Sequence, residues 1–133
     1  MALFVGTFLA LAVGLFATAV GLDRERGFYP TVMIVIACLY ILFAVIGGSA
    51  NALRLESLVA AGFIGLAVVG FRSSLWIVAI ALAGHGIFDL FHAGIISNPG
   101  VPPWYRDFCF TYDVVAAGYL AWMIKARRIR AAP

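Results

Sequence analysis

Residues 75–96 read LWIVAIALAGHGIFDLFHAGII. At 1.5 Å per residue the stretch is long enough, as a helix, to cross a hydrocarbon layer about 30 Å thick. Its apolar run is interrupted by His85, Asp89 and His92. With 100° between successive residues, positions i, i+4 and i+7 project from one side of a helix. An aspartate at the centre of a membrane helix costs roughly 2.5–3.5 kcal/mol on insertion scales, so such residues turn inward and meet partners. The stretch therefore predicts one membrane helix of a bundle, with its polar face toward the other helices.

The rest of the chain agrees. Of its 133 residues, 65% are hydrophobic and 11% charged, against about 45–50% and about 25% in soluble domains. Mean hydropathy is +1.07. These figures exclude a disordered or nucleic-acid-binding chain and point to lipid as the solvent. Apolar runs predict five spans in a single all-α transmembrane domain, at about 3–22, 30–48, 52–71, 75–96 and 107–124. The alternative is four spans with a re-entrant third segment, because that segment carries Arg54 and Glu56. Pro30 suits the first turn of the second span. Ser73 and Ser74 supply a cap for the fourth. Pro99, Gly100, Pro102 and Pro103 make 97–106 a loop that no helix traverses.

The net charge of +3 is a topology signal. Of nine Lys and Arg residues, Lys125, Arg127, Arg128 and Arg130 form a tail, and Arg24, Arg26 and Arg72 fall in loops on the same side. Only Arg54 and Arg106 lie opposite. The positive-inside rule then places the N-terminus outside and the C-terminus in the cytoplasm of a bacterial inner membrane. Ala17-Thr18-Ala19 resembles a signal-peptidase site, but the preceding apolar stretch is too long and lacks a basic start, so it is read as a retained helix. Cys38 and Cys109 have no metal or disulfide spacing and read as core residues. Gly6, Ala10, Gly14 and Thr18 form a small-residue stripe that admits a close helix. Trp104, Tyr105 and Tyr112 read as interfacial anchors.

Of six acidic residues, Asp23, Glu25 and Asp107 are assigned to loops or span ends. Glu56, Asp89 and Asp113 remain within spans. Given the topology, three helices carry Glu56, Asp89, His92 and Asp113 to one depth in the outer half of the bilayer, with His85 deeper. Imidazole and carboxylate together suit Zn, Fe or Mn. His85, Asp89, His92 and Asp113 are the candidate metal ligands, and Glu56 or Asp113 the candidate catalytic base. The 97–106 loop reads as a connector or as a lid over this cluster. Arg54 and Arg106 are placed to snorkel, to pair with Glu56 or Asp107, or to hold an anionic headgroup.

The HxxxDxxH of His85–His92, the loop with Asn98-Pro99 and Val101-Pro102, and the downstream Asp113 resemble a family of small, uncharacterised bacterial integral membrane proteins. The resemblance covers the second half of the chain. It implies that an acidic residue of the preceding helix, Glu56 here, belongs to the same site. Members carry a second histidine directly after the last one, where this chain has Ala93. Because no reaction is known for that family, the resemblance implies importance of these positions and no chemistry.

The leading expectation is a metal site of an enzyme acting on a lipid-like or small apolar substrate within the bilayer. A metal-free acid–base site of isomerase type uses the same residues. From another class come a proton-handling protein and a non-catalytic accessory subunit of a homo-oligomer or larger membrane complex. The apolar inner half of the fourth span, Leu75 to Ala83, counts against a channel. No GxSxG or phosphate loop is present, which disfavours serine hydrolase and nucleotide chemistry.

Overall fold

A computed structural model describes residues 1–131. Among them it is all-helical: α1 (Ala2–Val20), a 3₁₀ turn (Leu22–Arg24), α2 (Phe28–Ile46), α3 (Ala50–Arg72), α4 (Leu75–Ile95) and α5 (Tyr105–Lys125). Four of the five helices, α1 to α4, are long and apolar enough to cross a membrane. The third segment is thus one unbroken helix of spanning character. The less apolar helix is α5, which carries Arg106, Asp107 and Asp113 and has the same length as α4.

Large apolar side chains cover the outside. Phe4, Phe8, Leu15, Phe16, Ile46, Leu58, Ile80 and Phe91 are all exposed. Water would penalise each exposed side chain of this size by about 1.5–3 kcal/mol relative to burial, whereas lipid does not. The interior is built instead from small residues and a few large ones, with Met33, Val78, Leu82 and Leu120 filling its middle.

Helix contacts follow the order α1–α5–α4–α3–α2. Of the small-residue stripe, Gly6, Ala10 and Gly14 are buried, Gly6 and Gly14 against α5; Thr18 is half-buried, and Ala17 beside it is buried instead. Consecutive in sequence, α1 and α2 share no packed backbone interface, and α2 reaches α5 through side chains: Tyr105 meets Tyr40 and Phe43 edge-on at 5.4 and 4.6 Å.

Several ends are held differently from expectation. Ser74 precedes α4 but makes no side-chain cap bond. Ser49 caps α3 instead, accepting from the Ala52 N–H at 3.2 Å. The Arg26 guanidinium donates to the carbonyls of Gly70 and Ser73 at 3.1 and 2.8 Å and also to Phe71 O, supplying the last turn of α3 with donors it lacks. Cys38 is exposed rather than core. Asp23, expected in a solvated loop, has 0% exposure, because the 3₁₀ turn folds it back onto the Thr18 hydroxyl. Tyr105, expected at the interface, is 3% exposed, while Trp104 beside it is 56% exposed.

The loop between α4 and α5 is seated on the end of α2. Gly100 lies so close to the Phe43 carbonyl and the Gly47 backbone that a β-carbon there has no room. Gly84, by contrast, faces open space. Gly100→Ala is expected to destabilise by about 1–3 kcal/mol through overpacking, and Gly84→Ala to be neutral or stabilising by about 0.5–1 kcal/mol. Thermal unfolding in detergent compares the two directly.

Candidate functional site

The buried side of α4 continues in register from apolar to polar residues: Leu75, Val78, Leu82, His85, Asp89 and His92. The same helical face that packs the bundle middle therefore delivers the titratable groups near its end. On α5, Asp113 faces them. Gly86 makes this approach possible, since a β-carbon there would stand 3.1 Å from Phe110 O and 3.2 Å from the Asp113 β-carbon. His85, Asp89, Asp113, Glu56 and His92 are all buried.

The structure arranges these five residues as two linked groups. In the first, His85 Nδ1 lies 2.7 Å from Asp113 Oδ2 and 3.5 Å from Asp89 Oδ2. One ligand atom from each of the three residues falls within 4.8 Å of the others. Asp89 Oδ1 accepts a hydrogen bond from the Tyr40 hydroxyl at 2.6 Å. Two carboxylate oxygens of this group, Asp89 Oδ2 and Asp113 Oδ1, are buried without a hydrogen-bond partner, as is the Tyr105 hydroxyl.

In the second group, His92 Nε2 donates to Glu56 Oε1 at 2.7 Å. Asn98 Nδ2 donates to the same oxygen at 2.9 Å and to Tyr40 O at 3.1 Å. His92 thus stands apart from the metal-compatible trio with which the sequence spacing grouped it. The seven-residue offset from His85 carries it along the helix axis to the level of Glu56. Tyr40 joins the groups: its hydroxyl holds Asp89, and its ring stacks on His92 with centroids 4.0 Å apart and planes at 17°. Phe63 packs edge-on against His85 at 4.8 Å and Phe88 against His92 at 5.5 Å. These rings limit water around both imidazoles.

A cavity of about 350 Å³ opens onto this end of the bundle, lined by Tyr40, Asp89, His92, Asn98, Pro102 and Arg106 among others. The proline-rich loop forms its outer wall. Arg106 reaches the cavity while pairing with the exposed Asp107 at 3.1 Å. Arg54 is exposed, and Glu56 pairs with His92 rather than with it.

Tyr40, Asn98 and Tyr105 were not among the candidate site residues. A tyrosine inside an apolar span, at Tyr40, was a usable signal, because a buried phenol needs a partner. Asn98 was marked only by the resemblance, through Asn98-Pro99; its local chemistry gave no signal, because a turn residue before proline has an ordinary role.

Comparison with protein-family models, with curated proteins and with solved structures gives no match. The chemistry of the site therefore rests on its own geometry.

Tyr40→Phe leaves the ring stack on His92 but strips the carboxylate of Asp89 of its donor. Loss of one bond to a buried charged acceptor is expected to lower stability by about 1–3 kcal/mol. Denaturant or thermal unfolding of the purified protein measures it; an unchanged midpoint would show that Asp89 is not held by this phenol.

Proposed function

We propose that the protein is a multi-pass enzyme of a bacterial inner membrane. His85, Asp89 and Asp113 hold a divalent metal of the Zn, Fe or Mn class, and His92 with Glu56 performs proton transfer on a lipid-like substrate. The observation that carries the proposal is the pair of buried carboxylate oxygens without hydrogen-bond partners: Asp89 Oδ2, 3.5 Å from His85 Nδ1, and Asp113 Oδ1, on the carboxylate whose other oxygen lies 2.7 Å from that nitrogen. A buried acceptor left unmatched is destabilising by about 1–3 kcal/mol, more when charged. The carboxylates of Asp89 and Asp113 and the imidazole of His85 would hold a divalent cation, whose charge would offset theirs, a nitrogen–oxygen donor set suited to these metals.

When bound, such a metal supplies Lewis acidity and lowers the pKa of a coordinated water toward 7. The chain supplies the remaining functions. Tyr40 fixes Asp89, and the close approach at Gly86 fixes Asp113. Glu56 accepts the Nε2 proton of His92, which leaves Nδ1 as the basic nitrogen and stabilises the ring once it is protonated. Asn98 holds Glu56 in place from the loop. Arg106 gives the cavity a positive rim for an anionic or strongly polar headgroup. In the orientation favoured by the basic residues, with the C-terminus cytoplasmic, the cavity faces the outer leaflet.

The direct 2.7 Å contact between His85 and Asp113 also favours a second reading, in which a shared proton takes the metal's place and the site works as a metal-free acid–base pair. Elemental analysis of protein purified without chelators separates the two. About one divalent ion per chain is expected in the wild type, with a loss of more than about tenfold in Asp89→Asn and in His85→Ala and retention in His92→Ala. Equally low metal in wild type and variants would overturn the metal site and leave the acid–base reading.

A further inference from the structure

The seam between α2 and the α1–α5 pair is filled along only part of its length. Where Tyr105 bridges to Tyr40 and Phe43 it is closed. Below that bridge it widens into a groove of about 580 Å³ with walls from α1 (Leu9), α2 (Val32, Val35, Leu39) and α5 (Phe108, Tyr112). The turn carrying Leu22 and Glu25 closes its far end. Its lining is almost wholly aliphatic and aromatic, and Val35 on the rim is exposed on the outside of the bundle.

Two features join this groove to the site. Cys109, in the groove wall, is a buried residue one helical turn from Asp113 on α5. Phe108, also in the wall, packs on Tyr105 at 6.2 Å, and Tyr105 in turn packs on Tyr40 of the polar cavity. Cys109, and Phe108 with Tyr105 behind it, therefore stand between an apolar groove and the carboxylates.

We propose that the groove is a binding site for one acyl chain of a membrane lipid, entered sideways from the bilayer between α1 and α2, and that it holds the apolar part of the substrate on which the His/Asp site acts. Size selects this occupant. Its volume matches roughly twenty water-sized groups at about 30 Å³ each, the scale of one long chain. A partner's transmembrane helix, about 10–12 Å across with its side chains, is too bulky for it, and the turn at 22–25 blocks its passage along the seam. The assignment of this chain to the substrate rests on the proposed chemistry of the site; the presence of a chain in the groove does not.

The test uses the full-length protein in phosphatidylcholine nanodiscs containing palmitic acid that bears a photoactivatable diazirine, with adducts mapped by mass spectrometry. Adducts are expected on Phe108, Cys109 and Tyr112 at about tenfold the level on Phe8 and Phe16 of the outer face of α1, as a preference of this order corresponds to about 1.4 kcal/mol. Val35→Trp, at the exposed rim, and Val32→Trp, deeper in the wall, are each expected to reduce those adducts several-fold while leaving metal content and elution volume unchanged. His85→Ala should leave the adducts in place. Equal labelling of the groove wall and of Phe8 and Phe16 would overturn the proposal, as would cross-linking of the wall to a second chain. Adducts in wild-type protein that elemental analysis shows to hold no metal would retain the groove and reject the metal chemistry.

Discussion

The contact between His85 on α4 and Asp113 on α5 is the constraint around which the rest of the bundle is arranged. Both groups are buried, and in a lipid-facing protein no water is at hand to solvate them. Each must meet the other, so α4 and α5 are fixed in rotation and in axial register. Gly86 has no side chain where α5 crowds α4, a β-carbon there meeting Phe110 O and Asp113 at 3.1 and 3.2 Å. The small-residue stripe of α1 then settles on the other side of α5, and α3 closes on α4 with Glu56 set against His92.

This arrangement also explains the division of labour within the site. His85 and Asp89 are one turn apart and share a level with Asp113; His92 lies further along the same face, at the level of Glu56 and the loop. The deeper group keeps two carboxylate oxygens without partners and is walled by Phe63. The shallower one pairs His92 and Asn98 with one Glu56 oxygen, and both Asp89 and His92 border the cavity. Tyr40, from a helix with no Asp, Glu, His, Lys or Arg, couples the two through one hydroxyl and one ring face. The site has a polar cavity at the loop and an apolar groove between α1 and α2 on its flank.

Burial of Asp23 shows how scarce charge is used at the other end of the chain. It is fully enclosed, holds the Thr18 hydroxyl, and through Thr18 is connected to the Tyr119 hydroxyl at 2.7 Å. Its position at the head of the charged run Asp23-Arg24-Glu25-Arg26 signals a solvated turn. The 3₁₀ geometry reverses that outcome by directing one side chain of the turn inward while Arg24 and Glu25 stay out.

What the sequence determined by itself is what depends on local chemistry. Long apolar runs, prolines at 99, 102 and 103, and a 3.6-residue period decide that there are five helices, where each begins and ends to within about two residues, and that His85, Asp89 and His92 share one face. The partners are another matter. That His85 meets Asp113 while His92 meets Glu56, that Tyr40 and Asn98 complete the site, that Asp23 and Tyr105 are buried, and that α1 and α2 stand apart to leave a groove were decided only by the tertiary structure. The physical reason is that helix propensity and hydropathy act within a segment. Which side chains touch depends instead on how each helix is rotated and shifted against its neighbours, and those choices are set by close packing and by pairing of buried polar groups summed over the whole bundle.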